Sequence, residues 1–119
     1  MQVYELSVCH HDLWHGNLLI GESGELAGVL DWAHVEVGDR AHDFAATRYF
    51  GERFRRWLID AYLESGGSFG SEERYRAQKY WEAREFGGIA WAIENSDDQV
   101  LDEGIQKLKR GPLFKKASL

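Results

Sequence analysis

Hydrophobic and polar residues alternate in short runs up to about residue 40 and follow a helical period after it. Residues 18–20 and 26–30 are apolar runs on either side of a turn-rich segment, residues 21–25. This strand–turn–strand pattern predicts a β-hairpin. Residues 3–9 fit either a further strand or the end of a helix, and the pattern leaves both open.

Helical spacing after residue 40 predicts three helices. The apolar face of the first consists of Phe50, Phe54, Trp57, Leu58, Ala61 and Tyr62. Residues 66–67, both glycine, are expected to end it. The second is predicted from Ser71 to about Glu94, with the glycines at 87–88 as a kink or a close helix contact. The third follows a capping box in which Ser96 caps the helix and Gln99 reaches back.

Composition and charge indicate a folded, soluble protein. The chain has 119 residues, is 44% hydrophobic and carries a formal net charge of −6, which argues against disorder and against a nucleic-acid-binding surface. No apolar run approaches the length of a membrane span, and the first residues lack the pattern of a signal peptide. The single cysteine, Cys9, fits a reducing compartment. We therefore expect a cytoplasmic protein with no nucleic-acid or membrane partner.

The segment from His10 to Asp31 carries the candidate chemistry. Asp12 follows His10 by two positions, Asn17 follows Asp12 by five, and Asp31 lies at the end of the apolar run after the predicted turn. Phosphoryl transfer needs a carboxylate to accept a proton and hard oxygen ligands to hold Mg²⁺. Asp12 and Asn17 on one loop can face one point, and Asp31 can close a metal site from the other side.

Two motifs resemble a known family. Residues 10–17 are similar to the catalytic loop of the aminoglycoside phosphotransferase and choline kinase group, relatives of the protein kinases, whose usual form is His-Gly-Asp-x-x-x-x-Asn. Residues 38–45 are similar to that group's Gly-Asp-Pro-x-x-Asp-Leu-Ala run, and the helical tail resembles macrolide-modifying members. The resemblance implies an α+β, mostly helical fold: a protein-kinase-like C-terminal lobe over residues 1–119, with a catalytic loop, a small β-hairpin and a helical bundle. No Gly-rich loop precedes His10, so we expect the N-terminal ATP-binding lobe to be absent.

The resemblance also implies roles for individual residues. Asp12 would be the catalytic base and His10 would brace the loop, so both are catalytic-site residues. Asn17 and Asp31 would hold Mg²⁺ and, through it, ATP. Asp39 and Asp43 would be buried carboxylates that bond the loop backbone and a helix start.

Two residues depart from the family pattern. His11 stands where the group usually has Gly, which is tolerable if that backbone position avoids positive φ. Arg40 replaces Pro and is expected to loosen a turn without touching the chemistry.

The function implied is ATP- and Mg²⁺-dependent phosphate transfer to a hydroxyl of a small molecule, such as an aminoglycoside or macrolide antibiotic, and hence antibiotic resistance. Because phosphoryl transfer is mostly positioning and electrostatics, the lobe alone is expected to be inactive without an N-lobe partner. The sequence does not distinguish ATP from GTP.

Other interpretations stay open. The chain can be a non-catalytic module derived from a kinase, one that binds a small molecule or forms a homodimer through exposed apolar surface. Asp12 and Asn17 can be ordinary turn residues. The side chains of Cys9, His10, His11 and His15 are zinc-ligand types, although their spacing matches no established zinc pattern. The acidic helix residues can line a groove for a cationic substrate, or they can be a solvated face.

Overall fold

The computed structural model describes residues 4–113. Within that part the chain forms four short strands, five α-helices and two one-turn 3₁₀ helices. The strands are β1 (Leu6–Cys9), β2 (Leu18–Ile20), β3 (Leu26–Val29) and β4 (Glu36–Asp39). The helices are α1 (Ala41–Ala46), α2 (Glu52–Glu64), α3 (Ser71–Glu82), α4 (Glu85–Glu94) and α5 (Asp98–Arg110). The 3₁₀ helices are His15–Asn17 and Thr47–Phe50. The fold is therefore mostly helical with small antiparallel sheets, as predicted.

The predicted β-hairpin is confirmed. β2 pairs antiparallel with β3, with Leu18 opposite Val29. Gly24, in the turn, has a φ of 86°, a left-handed conformation that glycine adopts without steric cost. The hairpin places Asp31 just past the end of β3.

A second two-stranded sheet decides the structure of the first residues. β1 pairs antiparallel with β4, and Val8 lies opposite Val37. β4 was not predicted, because its four residues include a glycine and two acids and its partner lies far away in sequence. The open question about residues 3–9 is thus resolved in favour of a strand over Leu6–Cys9.

The chain divides into two compact units, and the division follows Gln78, inside α3. In the first unit the ring of Phe44 contacts those of Tyr62 and Phe69, with centroid distances of 5.0 and 4.5 Å. Around these rings the first unit also buries Ala41 and Ala45. This core lies beneath α1, the helix that carries Asp43.

Helix α2 begins and ends close to its predicted bounds, but its buried face differs from the prediction. Ile59 and Arg55 are the buried residues of α2, whereas Trp57 is 74% exposed. Apolar residues occur on most sides of this helix, so periodicity alone does not identify the face that is buried. Contact with the Phe44 core through Tyr62 determines which side is buried.

The predicted continuous helix from Ser71 to Glu94 is wrong. α3 ends at Glu82 and α4 begins at Glu85, so the break lies before the paired glycines. Arg84 donates from Nη1 to the Trp81 carbonyl at 2.7 Å, and its guanidinium lies 3.9 Å from the centroid of the Trp81 ring. These local contacts hold the chain in a turn that hydrophobic periodicity does not reveal.

The second unit, from Lys79, contains the packed pair α4 and α5. The predicted capping box is also wrong. Asp97 caps α5 by accepting the Val100 N–H at 3.0 Å, while Ser96 has a φ of 53° and Gln99 bonds Glu103. Asp and Ser cap equally well in general, so only the backbone geometry decides between neighbours. None of the helices within residues 4–113 has the length and apolarity needed to cross a membrane.

Candidate active site

The loop between β1 and β2 carries the first three predicted site residues. It follows Cys9, the last residue of β1, and closes with the 3₁₀ turn His15–Asn17 that leads into β2. His10 and Asn17 are 2% and 7% exposed, whereas Asp12 is half-buried. The buried residues His10 and Asn17 therefore fix the loop, while the carboxylate of Asp12 remains accessible.

His10 connects this loop to the strand end that precedes Asp31. Its Nδ1 accepts the Asp12 backbone N–H at 3.1 Å, and its Nε2 lies 2.8 Å from the Leu30 carbonyl oxygen. A nitrogen that accepts carries no proton, so the ring is the neutral tautomer that donates from Nε2. The Trp32 ring packs against it edge-on, 4.6 Å between centroids. His10 thus braces the loop from within.

Asn17 and Asp12 are brought together by the tertiary structure. The Asn17 Nδ2 donates to the Asp12 backbone carbonyl at 2.8 Å and to the Asp12 Oδ2 at 3.0 Å. The Asn17 amide nitrogen is engaged on the Asp12 side, which leaves its oxygen as the atom that can face a cation. One loop therefore presents a fixed carboxylate beside an amide oxygen.

The backbone before Asp31 is joined to the same loop through Leu30. Leu30 donates its N–H to the Asn17 carbonyl at 2.7 Å and accepts from His10, so two hydrogen bonds join the strand end to the loop. Asp31 itself is exposed, has a φ of 55°, and accepts the Ala33 N–H at 3.3 Å. Among the described contacts its carboxylate bonds neither Asp12 nor Asn17. The structure thus fixes the backbone at Asp31 and leaves its side chain facing solvent.

The condition under which the sequence made His11 tolerable, a φ that is not positive, is not met. Its φ is 71°, in the left-handed region that glycine adopts most readily. Asp43 compensates by accepting the backbone N–H groups of His10 and His11 at 2.8 and 2.9 Å. The predicted structural role of Asp43 at the loop backbone matches this geometry.

Asp39 occupies the helix-start position that the resemblance implied. Its Oδ1 accepts the N–H of Ala41, the first residue of α1, at 3.1 Å. Its Oδ2 also accepts from Arg76 of α3 at 2.8 Å, and the hydrogen bond to this buried carboxylate raises the pKa of Arg76. Arg76 was not predicted, because nothing in the local sequence connects residues that lie 37 positions apart.

Arg40 does more than loosen a turn, so that expectation is wrong. It is buried and donates to the Ser68 carbonyl at 3.0 Å and to Glu73 at 2.9 Å. The N–H of Gly70 donates to the Glu73 carboxylate, and this hydrogen bond, with the charge of Arg40, lowers the pKa of Glu73. Arg40 therefore ties the start of α1 to the start of α3.

Two groups beside the loop have shifted pKa values. Burial lowers the pKa of His42, and the nearby His11 lowers it further. Burial also raises the pKa of the Cys9 thiol, as do the carboxylates around it. Both groups are therefore held in their neutral forms next to the loop.

The donor set fits a hard cation better than zinc. Carboxylate and amide oxygens, as at Asp12, Asn17 and Asp31, are the ligand types of Mg²⁺. Residues 4–113 contain no group of three His, Cys, Asp or Glu side chains placed to hold a metal ion. In that part of the chain the side chain of Cys9 donates to the Ser7 carbonyl and that of His10 bonds Leu30, so neither is arranged as a zinc ligand.

An open cavity of about 730 Å³ lies elsewhere, on the outer face of α2. Its lining consists of Phe50, Arg53, Phe54, Arg56, Trp57 and Asp60. It includes none of the predicted catalytic or metal-binding residues. The candidate chemistry therefore belongs to an accessible loop surface and not to this cavity.

Comparisons with known proteins identify a family and two relatives. The sequence profile of the Phosphotransferase enzyme family (APH) matches residues 3–80. Uncharacterized protein YcbJ of Bacillus subtilis (strain 168) is 37% identical over 62 residues, which are 51% of this chain and 20% of that protein. Probable choline kinase 3 of Arabidopsis thaliana is 30% identical over 88 residues, or 58% of this chain and 25% of that protein.

A solved structure supports the same grouping. Macrolide 2'-phosphotransferase type I superposes on 87% of this chain with a TM-score of 0.78 and 25% sequence identity, and the match covers 35% of that protein. The chain therefore spans between a fifth and about a third of the length of these relatives.

Proposed function

Since the chain belongs to the phosphotransferase enzyme family, we propose that it supplies the catalytic loop of an ATP- and Mg²⁺-dependent kinase acting on a small-molecule hydroxyl. The observation that carries this proposal is the contact between Asn17 and Asp12 on a loop anchored by His10. An accessible carboxylate beside a metal-binding amide is the arrangement that phosphoryl transfer requires.

Each residue has a distinct task in this proposal. The Asp12 carboxylate accepts the proton of the attacking hydroxyl and orients that hydroxyl. The hydrogen bond from Asn17 to its Oδ2 leaves Oδ1 to meet the substrate. His10, in its neutral tautomer, fixes the backbone at Asp12 and at Leu30. Bound Mg²⁺ would neutralise phosphate charge, and the Asn17 oxygen and the Asp31 carboxylate are the groups that would hold it.

The acceptor we propose is a hydroxyl of an aminoglycoside or macrolide antibiotic. The resemblance to the fold of a macrolide 2'-phosphotransferase supports this class of substrate, and an antibiotic-resistance role in the cytoplasm would follow from it. The chain spans about a third of that protein. We therefore expect it to be inactive alone and to act together with an ATP-binding N-terminal lobe.

Calorimetric titration with Mg²⁺-ATP tests whether the metal site is assembled. The chain is compared with Asp31→Ala and with Asp102→Ala, a control that removes an exposed carboxylate of α5. We expect weak binding that Asp31→Ala abolishes and Asp102→Ala leaves unchanged. Equal binding by all three proteins would remove Asp31 from the metal site.

Turnover tests the role of Asp12 in the complete enzyme. Asp12→Ala is expected to lower kcat by several orders of magnitude, because loss of the proton acceptor and of positioning act together. Circular dichroism should show that the fold is intact. Near-normal turnover of a folded Asp12→Ala enzyme would contradict the proposal.

Exposed apolar residues on and after the hairpin favour a second candidate function. Leu19, Ile20, Leu26, Leu30 and Trp32 are between 46% and 59% exposed. Such a patch is typical of an interaction surface. It supports homodimerisation or the docking of an N-lobe partner. Light scattering after size exclusion tests the homodimer: a strict monomer whose state is unchanged by Leu19→Glu would exclude it.

A further inference from the structure

The cavity on the outer face of α2 lies where the chain turns into that helix. Gly51, with a φ of 91°, joins the preceding 3₁₀ helix to α2. Across this turn the Phe50 ring lies 5.0 Å from the Phe54 ring between centroids, and the two planes are tilted by 46°. Trp57, which is 74% exposed, also lines the cavity. Three aromatic residues therefore form its apolar surface.

Two arginines of α2, Arg53 and Arg56, lie in the same lining. Glu52 precedes Arg56 by four positions, a spacing that permits an ion pair on a helix. Both oxygens of Glu52 instead accept from Arg55, at 3.1 and 3.3 Å. Among the contacts within residues 4–113, no hydrogen bond or ion pair engages the guanidinium of Arg53 or of Arg56. Both guanidiniums are therefore available to a ligand.

The charge of the lining is complementary to an anion. Among the six described lining residues Asp60 is the only carboxylate, so two arginines and one aspartate leave a net charge of +1. The chain as a whole carries −6. A guanidinium binds a carboxylate through two parallel N–H donors and also stacks on flat rings. One negative charge on a flat apolar body matches this lining.

The size of the cavity favours a small molecule over a protein segment as its occupant. Its volume is about 730 Å³, and small-molecule sites have volumes of roughly 300–1,000 Å³, with mostly apolar walls and a few polar groups. The lining has this composition, since three of its six residues are aromatic.

We propose that this cavity is a binding site for a small aromatic monoanion. The ring system of the ligand packs on Phe50, Phe54 and Trp57, and its carboxylate or sulfonate is held by Arg53 and Arg56. The site uses none of the residues of the catalytic loop. It is therefore a second site on the chain, and it does not depend on the proposed function.

Two probes with the same rings and different charge test the site. 2-Naphthoate is an aromatic monoanion, and 2-naphthamide is its neutral analogue. In NMR titrations of the ¹⁵N-labelled chain, we expect saturable shifts at the amides of residues 50–60 and at the indole N–H of Trp57. Naphthoate should bind about tenfold more tightly, because hydrogen bonds to a charged group are stronger than neutral ones. Equal affinities, or shifts concentrated at the exposed Leu19 of the hairpin, would overturn the proposal.

Substitutions separate the contribution of charge from that of stacking. The double variant Arg53→Gln, Arg56→Gln should lower the affinity for naphthoate to that for naphthamide and leave naphthamide binding unchanged. Trp57→Ala should weaken the binding of both probes by about fivefold. Arg110→Gln, which removes an exposed arginine of α5, is the matched control and should bind both probes like the parent. A double variant with parental affinity for naphthoate would refute the role of the arginines.

Other occupants of this face give different results. If a second copy of the chain covers it, neither probe shifts residues 50–60, and Trp57→Glu converts a dimer into a monomer in light scattering. If an acidic protein segment is the natural partner, a peptide of alternating glutamate and phenylalanine binds there more tightly than naphthoate. Either result would exclude the small-molecule site. The substituted residues 53, 56 and 57 are exposed, so the variants should fold, and circular dichroism checks this.

Discussion

The carboxylate of Asp43 accepts the backbone N–H of His11 at 2.9 Å across 32 positions of sequence. Its second oxygen accepts the N–H of His10 at 2.8 Å. One side chain of α1 thereby holds two successive peptide groups of the candidate catalytic loop. The left-handed backbone conformation of His11 persists because these two hydrogen bonds hold the loop in place.

Removal of this carboxylate should destabilise the protein. Asp43→Ala leaves two N–H groups of the loop without their acceptors, and we expect a loss of about 2–4 kcal/mol in the free energy of unfolding. Urea denaturation measures this loss in the free energy of unfolding. Asp102→Ala, an exposed substitution in α5, should stay within about 0.5 kcal/mol of the parent. A similarly small effect for Asp43→Ala would mean that the loop holds its shape without α1.

Asp39 and Arg76 should contribute to the free energy of unfolding as a coupled pair. The side chains of Asp39 and Arg76 are 2% and 16% exposed, so Asp39→Ala leaves a poorly solvated guanidinium and should cost about 3–5 kcal/mol. In a double-mutant cycle with Arg76→Met, the double variant should be more stable than the sum of the single losses predicts, by about 1 kcal/mol or more. Additive losses would show that the pair is not a unit.

Stability should fall as pH falls below 6.5 because of His42. Its pKa is lowered in the folded protein, first by burial and then by His11, so the unfolded chain binds the proton more readily. The contribution is complete above 6.5, the ordinary pKa of the group, and is lost as pH falls towards the lowered folded value. Urea denaturation at several pH values measures this slope.

A variant isolates this contribution. His42→Gln should show a smaller loss of stability between neutral and mildly acidic pH, while His34→Gln should keep the parental slope. If both variants behave like the parent, burial of His42 does not govern the acid sensitivity.

Two glycines in the second unit should respond in opposite directions. A β-carbon at Gly104 of α5 would lie 2.9 Å from the Ile89 Cγ1, whereas one at Gly87 of α4 would meet nothing within 4 Å. Gly104→Val should therefore cost about 1–3 kcal/mol by overpacking. Gly87→Ala should add about 0.5–1 kcal/mol through helix propensity. Thermal unfolding followed by circular dichroism tests both, and a stabilising Gly104→Val would contradict the packing of α4 on α5.

The sequence contained most of the candidate site and the class of fold. The motif from His10 to Asn17 predicted a family that the profile match confirms, and the spacing after it predicted the hairpin. The helical ends at Gly66 and after Glu94 were also recognisable, since glycine and capping residues act locally. Roles of single residues in the chemistry remain predictions, because no ligand contact tests them.

The failures share one physical cause. The buried face of α2, the break near Arg84 and the cap at Asp97 depend on contacts or backbone angles that a local pattern does not encode. The positive φ of His11 is the clearest case, since a side chain at that position does not reveal the backbone angle. Propensity and periodicity describe neighbours in the chain, and packing overrides them.

By itself the sequence determined the class of fold, the position of the hairpin and the family, because these follow from local spacing and from motifs of neighbouring residues. Only the tertiary structure decided that β1 pairs with β4, that Asp43 holds the loop and that Asp39 pairs with Arg76. Each of these contacts joins residues about 30 or more positions apart. A buried carboxylate such as Asp39 forms strong hydrogen bonds because water is excluded from it, and that exclusion exists only once the chain has folded.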